Sequence, residues 1–307
     1  MGNKTVIVSL SDEKYFELLL ELIESINNFD QSKAVDICIL DAGMNGNQIK
    51  ILEQKVKQIK KAEWDIDVPG YKVRNKQWLK SQVSRAFLPN YFPDYENYIW
   101  IDSDAWVNDW HAIDMLIKGC KNKELAITQT IAPGYRDVGK VKWIFGSIAS
   151  VKTQNFKHAV RSGFAKDIAR KIAFAPHLNI GVFSMRKKSN GWSIWQKNLK
   201  KALSKGRVFG SEGLAINISV YVDGLETEFL PPSCNWIINH LLPKYDEDNQ
   251  QFVEPNLPNK RIGIMHLAGG YFVNDVDIRE DKSIEINLQT LNDSNVFKSL
   301  RFNIGKI

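Results

Sequence analysis

The stretch YIWIDSDAWV, residues 98–107, runs four strongly apolar residues, Tyr98 to Ile101, into Asp102-Ser103-Asp104 and out through Ala105-Trp106-Val107. A short β-rich apolar run of this kind reads as a buried strand. Carboxylates at the carboxyl end of a buried parallel strand stand where open α/β sheets bind their ligands. Two carboxylates one residue apart on a turn can share one hard cation, and that cation can bridge two phosphate oxygens. Asp-x-Asp by itself is common in caps and solvated turns. The apolar flanks are what make Asp102 and Asp104 a candidate metal pair.

Outward from this stretch the pattern repeats. TVIVSL, Thr5 to Leu10, is a second buried strand followed by the polar loop Ser11-Asp12-Glu13, and a helix from about Lys14 to Asn27 carries Phe16, Leu19, Leu20, Ile23 and Ile26 near helical spacing. VDICIL, Val35 to Leu40, ends at Asp41-Ala42-Gly43, and a helix is expected after it with Ile49, Leu52, Val56 and Ile59 on one face. Another helix is expected around Lys80 to Leu88, before Pro89 and Pro93 punctuate a loop. Alternating strands and helices predict an α/β chain whose first hundred residues build a parallel, doubly wound sheet.

Beyond residue 107, LAIT (Leu125 to Thr128) and HLNIGVFSMRKK (His177 to Lys188) read as strands, and the stretch from about Pro133 to Lys171 as mixed and largely helical. Ser189-Asn190-Gly191 starts an amphipathic helix bearing Trp192, Trp195, Leu199, Ala202 and Leu203. Its tryptophans read as core anchors. Ser211-Glu212 opens a further helix; past Pro231-Pro232 the chain turns irregular, with an apolar run, RIGIMHL (Arg261 to Leu267), and then a polar tail. No internal repeat or linker divides the chain.

The composition, 44% hydrophobic and 25% charged, is ordinary for a globular protein and predicts a sizeable core. A net charge of +6 suits nucleic acid, anionic lipid or a small anionic substrate. The lysine-rich runs Lys55 to Lys61 and Lys197 to Lys205 read as solvated helix faces, and no RNP-like aromatic motif, zinc finger or basic zipper supports nucleic-acid readout. No nucleic-acid partner is expected; peripheral contact with a membrane surface stays open, and oligomeric state is not legible.

Cys38, Cys120 and Cys234 are odd in number and lack C-x-x-C spacing, which argues against a disulfide framework and a structural zinc and for a reducing cytoplasm. The amino terminus shows neither a basic region nor a long apolar run, so no secretory signal is expected. Val6 stands where myristoylation requires Ser or Thr. No window approaches the roughly 18 apolar residues of a membrane span.

With these residues in view, the sequence resembles glycosyltransferase family 8, the glycogenin and galactosyltransferase-like group of GT-A enzymes. YIWIDSDAWV resembles that family's apolar strand, DxD and apolar continuation. VSLSDEKY, Val8 to Tyr15, is similar to the first-strand loop that holds the nucleotide base, and ILDAGM, Ile39 to Met44, to the end of the second strand. Arg85 lies ahead of the DxD, where the family carries a basic donor-contacting residue. Asn179-Ile180-Gly181-Val182 is similar to the Asn-x-Gly-Val strand, EGLAIN (Glu212 to Asn217) to Asp-Gln-x-x-Leu-Asn, and His266 in MHLAGG to the carboxyl-terminal metal histidine. The resemblance spans about residues 5 to 270. It departs at Glu212-Gly213, where the amide side chain is gone, and after His266, where the family's Lys-Pro-Trp is missing.

The resemblance implies a GT-A fold, Rossmann-like and nucleotide-sugar-binding, with a mixed, mainly parallel central sheet flanked by helices. It implies one domain over residues 1–307, the less regular part from about 231 to 307 closing over the donor site. The implied activity is transfer of a sugar from a nucleotide-diphosphate donor, UDP-linked, to an acceptor hydroxyl, with retention. Mn2+ or Mg2+ would be held by Asp102, Asp104 and His266. Leu10, Ser11, Asp12 and Tyr15 would hold base and ribose, with Ser103 and Gly269 completing the donor contacts; Arg85 would add positive charge, and Glu212 and Asn179 would orient the sugar. The alternative is a non-catalytic relative that binds nucleotide or glycan. A dehalogenase-type phosphatase also places Asp-x-Asp after a strand, but Ala105-Trp106 here replaces the small hydroxyl residue of that motif.

Overall fold

The computed structural model of the chain describes residues 4–73, 76–135 and 140–303. Four strands, β1 (Thr5–Ser11), β2 (Asp36–Asp41), β3 (Gln58–Lys61) and β4 (Asn97–Ile101), pair in parallel in the order β4-β1-β2-β3. β5 (Ala105–Val107) leaves the sheet just after the DxD turn. β6 (Leu125–Gln129) follows, and a hairpin of β7 (Lys140–Phe145) and β8 (Ile148–Lys152) precedes β9 (Leu178–Arg186). β9 lies antiparallel between β4 and β6, and β10 (Thr227–Leu230) adds a parallel edge, giving a seven-stranded, mainly parallel sheet.

Alternation along each strand explains why both faces are dry. Val6, Val8, Cys38, Leu40, Tyr98 and Trp100 face one core, and Ile7, Ile37, Ile39, Ile99 and Ile101 face the other. The first face is covered by α6 (Gly191–Lys205) below, whose Trp192, Trp195 and Leu199 pack there as anchors. In chain order the helices are α1 (Phe16–Asn27), α2 (Gly46–Glu53), α3 (His111–Asn122), α4 (Gln154–Arg161), α5 (Lys166–Lys171), α6 and α7 (Ser211–Tyr221), with shorter turns between them. α1 and α3 cover the second face. Cys38, Cys120 and Cys234 are buried free thiols. No helix among the described residues is long and apolar enough to cross a membrane.

Four elements differ from the sequence expectations. The helix after β2 stops at Glu53, and Ile59 sits on β3 in register with Ile39, because parallel pairing with β2 overrides the helical spacing of Val56 and Ile59. The expected helix at Lys80 to Leu88 is a chain of single turns, Gln77–Lys80, Ser81–Ser84, Arg85–Phe87 and Leu88–Tyr91. Pro89 accounts for the last break, at Phe87, since its ring would clash with the Arg85 carbonyl four residues back in a continuous helix. The stretch read as largely helical from Pro133 contains the β7–β8 hairpin, which turns at Gly146-Ser147 and leaves Trp143, Ile144, Phe145 and Ile148 exposed. Residues 136–139 lie outside the described ones.

The polar tail is the fourth. β11 (Trp236–Ile237), the hairpin of β12 (Lys244–Asp246) and β13 (Gln251–Val253), and β14 (Ile264–His266) are followed by β15 (Phe272–Val273) with β16 (Val276–Asp277), and by β17 (Ile286–Gln289) with β18 (Asn295–Lys298). Ile278, Ile286, Leu288 and Leu300 pack with Trp106, Trp236 and Phe252 in a third core. Arg301 forms a buried ion pair with Glu21 of α1. Too few apolar residues stand in any one window here to reveal a core assembled across elements. β14 runs antiparallel to β5 and parallel to β11, setting His266 opposite Ala105.

Candidate metal and donor site

The DxD turn is pinned on both sides. The Asp102 N–H donates to the Gly181 carbonyl of β9 at 2.7 Å, and the Leu267 N–H donates to the Asp104 carbonyl at 2.8 Å. Ligand atoms of Asp102, Asp104 and His266 lie within 4.8 Å of one another. His266 Nε2 stands 3.3 Å from Asp104 Oδ1 and 3.8 Å from Asp102 Oδ2. Two carboxylates and an imidazole suit a divalent cation that accepts mixed oxygen and nitrogen ligands. The backbone also makes room: a Cβ at Gly181 would lie 2.2 Å from His266 Cε1 and 2.8 Å from Asp102 Oδ2. The residues therefore fit a resident cation.

Supporting contacts orient these ligands, as metal sites require. Asn235 donates through Nδ2 to Asn179 Oδ1 at 3.2 Å, so its Oδ1 faces His266 Nδ1 at 2.8 Å and takes that proton. Nε2 is left toward the carboxylates. Burial opposes charge on His266, but hydrogen bonding and charge from Asp104, with Asp102, raise its pKa overall. Burial raises the pKa of Asp102 despite Arg85 and His266. Burial acts the same way on Asp104, but His266 and Arg279 outweigh it and hold that carboxyl below its usual range.

Asn179 braces this scaffold through Oδ1, which also accepts the Gly181 N–H at 2.8 Å. Arg85 stands behind Asp102. Its guanidinium donates to the Ser81 and Ile180 carbonyls at 2.9 and 3.2 Å and to Asp102 Oδ1 at 3.0 Å, over the Trp100 ring. The Trp100 indole N–H donates to the same oxygen at 2.7 Å. Side-chain exposure of 4% turns Arg85 toward protein groups.

Glu212 sits in the first turn of α7, almost fully buried, and its Oε2 has no hydrogen-bond partner among the described residues. Burial pushes its pKa up to about 7 against the opposing charge of Arg85. Gly213 faces His177, whose ring atoms would lie 3.7 and 3.8 Å from a Cβ there, ordinary contact distance. His177 is a residue the sequence reading placed only at a strand start. Asn155 donates to the Ala175 carbonyl, so its Oδ1 accepts the His177 Nδ1 proton at 2.9 Å and leaves Nε2 as a lone pair. Burial, with His158 and His240, lowers the His177 pKa to about 4, so the ring is neutral at pH 7.

The remaining expected residues spread over the same end of the sheet. Leu10 and Ser11 are buried at the end of β1, and the Asp12 carboxylate accepts the Tyr15 N–H at 3.1 Å ahead of α1. Ser103 is buried inside the turn. Gly269 takes φ +77, a conformation that favours glycine, and a Cβ there would lie 2.6 Å from Asn239 Nδ2. Arg279 reaches Asp104 from the supposed tail, with Nη1 3.4 Å from Asp104 Oδ2 and its guanidinium over the Tyr15 ring. No sequence signal marked it.

The family model described as Glycosyl transferase family 8 matches residues 6–165, more than half of the chain. The chain belongs to glycosyltransferase family 8. No curated protein matches it in sequence. Among solved structures, the apo form of the bifunctional glycosyltransferase WbbM superposes with a TM-score of 0.55 at 17% identity, over 92% of this chain. The match covers 49% of WbbM, so the chain spans about half the length of that protein. An active-site mutant of LgtC superposes with a TM-score of 0.50 at 13% identity, covering 86% of this chain and 87% of LgtC. These likenesses show the GT-A fold, and family membership makes the chain a glycosyltransferase.

For this family 8 chain, Gly181→Ala and His266→Ala are expected to lower Mn2+ affinity alike, by about tenfold, because both remove the imidazole from the carboxylates. Either loss should be smaller than that of an aspartate, since a neutral ligand attracts the cation less than a charged one. Titration of free Mn2+ by electron paramagnetic resonance reads both, and unchanged affinity in both would return His266 to the core.

Proposed function

We propose that the chain transfers a sugar from a UDP-sugar to an acceptor hydroxyl with retention of anomeric configuration, with Mn2+ or Mg2+ held by Asp102, Asp104 and His266. The observation that carries this reading is the Asp102–Asp104–His266 cluster at the end of β4, with space opened for it by Gly181. When bound, the cation supplies Lewis-acid neutralisation of the charge that builds on the departing diphosphate. Everything else falls to the chain. Arg85 holds Asp102 in place and offsets its charge. Backbone groups of Leu10, Ser11 and Asp12, with the Tyr15 ring, hold base and ribose; Ser103 and Gly269 let the backbone come close to the donor. Glu212 brings an unsatisfied carboxylate oxygen to the sugar hydroxyls, and Asn179 keeps the wall beside Gly181 rigid. The part from about 231 to 307, which supplies His266, closes over the donor within a single domain.

Gly213 and the missing lysine after His266 favour a second reading, a non-catalytic relative that binds nucleotide or glycan. One panel separates the two. Nucleotide sugars are incubated with the protein and Mn2+, and released nucleotide is measured. Release from a UDP-sugar, lost in EDTA and restored by Mn2+, is the expected result. Binding of UDP with no release from any donor, across a range of acceptors, would establish the second reading.

A further inference from the structure

Arg279 lies outside every motif in the sequence, yet its guanidinium reaches Asp104, one carboxylate of the metal pair. Nε and Nη2 donate to Asp277 Oδ2 at 2.9 and 2.6 Å, and its backbone N–H donates to Asp277 Oδ1 at 3.0 Å. Nη1 meets Asp104 Oδ2 only at 3.4 Å, the weak end of hydrogen-bonding range. A guanidinium has five N–H donors. Three are engaged, and no acceptor takes the other two among the described residues. The group also lines a cavity of about 580 Å³ whose cationic and acidic side chains balance and to which Asp102, Asp104 and His266 do not contribute.

Its position is built rather than incidental. Arg301, locked into its buried pair with Glu21, donates Nη1 to the Arg279 carbonyl at 3.2 Å. A Cβ at Gly270 would lie 2.6 Å from Asp277 Oδ2 and 2.9 Å from Arg279 Nη2, so the absent side chain admits the pair. Charge gives it a task. Asp102, Asp104 and Asp277 exceed Arg85 and Arg279 by one negative charge. A divalent cation turns that excess into one positive charge, and without Arg279 the loaded cluster would be neutral toward an anionic ligand.

We propose that Arg279 is the side chain that grips the donor's diphosphate, meeting phosphate oxygens with its free N–H edge once a cation has claimed Asp104. A planar fork fits paired phosphate oxygens, and the Tyr15 ring lies near it, with its centroid 5.9 Å from the guanidinium carbon. The inference rests on the nucleotide-sugar reading above. It supplies from residue 279 the positive charge that the missing Lys-Pro-Trp leaves unfilled.

The test is calorimetric titration of Mn2+-saturated protein with pyrophosphate, UDP and UMP, in wild type, Arg279→Ala and Arg279→Lys, with Mn2+ affinity measured separately. Arg279→Ala is expected to weaken pyrophosphate and UDP by about tenfold or more, the scale of charge-assisted hydrogen bonds, and UMP by much less. Arg279→Lys, which keeps the charge and loses the fork, should fall between. Mn2+ affinity should hold or rise, since a cation beside Asp104 has gone. Unchanged pyrophosphate and UDP affinity overturns the proposal, and so does a loss of Mn2+ affinity by the same factor. Wild-type protein that binds Mn2+ but neither pyrophosphate nor UDP overturns the donor reading itself.

Discussion

Replacing either aspartate of the DxD turn with alanine is expected to weaken Mn2+-dependent UDP binding by about a hundredfold or more, which is about 2.7 kcal/mol. The two variants should differ in stability. Asp104 meets its partners at 3.3 and 3.4 Å, longer than the contacts of Asp102 with Arg85 and Trp100, so its loss should cost the fold less. Asp102 accepts from Arg85 and from the Trp100 indole, so Asp102→Ala strands part of a buried guanidinium and costs about 2 kcal/mol. The Ser81 and Ile180 carbonyls still hold Arg85, and the protein stays folded. Asp102→Asn separates the effects, because it keeps an acceptor for Arg85 and Trp100 while removing the charge that the cation needs. Calorimetry with UDP and Mn2+, beside thermal unfolding, reads both quantities. UDP affinity unchanged in Asp102→Asn and in Asp104→Ala would sink the metal assignment.

Glu212→Gln has the second large effect. An inverting transfer needs a general base within hydrogen-bond reach of the acceptor hydroxyl, whereas in retention the departing diphosphate can take that proton. In the retaining picture Glu212 orients sugar hydroxyls and stabilises positive charge at the anomeric carbon. Its removal should cut turnover by about a hundred- to a thousandfold, as loss of a preorganised electrostatic group does, with UDP affinity nearly unchanged. An α-linked donor should give an α-linked product, read from the anomeric coupling by NMR; a β product would overturn retention and make a carboxylate base the leading mechanism.

Stability supplies the control for that variant. The folded-state pKa of Glu212, about 7, is raised above its ordinary 4.5, so ionisation works against the fold. This destabilisation is absent below pH 4.5 and grows as pH rises through about 7, up to roughly 3 kcal/mol by linkage. Glutamine does not ionise. Glu212→Gln should therefore be at least as stable as wild type at pH 8, which chemical denaturation at pH 5 and pH 8 can compare, and lost turnover cannot then be laid to misfolding.

Much of this was legible in short windows of sequence. The apolar runs of β1, β2, β4 and β9 declare themselves within five to nine residues, because a strand buried on both faces needs nothing but apolar side chains. Asp102 and Asp104 were readable because ligand and flank are contiguous in the chain. His266 and Glu212 were readable only through family resemblance, since a lone histidine or glutamate in a window carries no pattern.

Tertiary structure alone decided what surrounds them. Arg279 lies 175 residues from Asp104, and the two meet only because β14 runs against β5 and the tail folds back beneath Arg301 and Glu21. Arg85 was readable as a cation but not as one turned inward onto Asp102 and the Ile180 carbonyl, which depends on β9 lying beside β4. The tail looked polar because its few apolar residues are spread along the chain and form a core only together with Trp106 and Trp236 from earlier elements. Local pattern determined where strands and the carboxylate turn lie, because those depend on neighbours in sequence; the charges facing the turn were decided by sheet order and register, which join residues far apart in the chain.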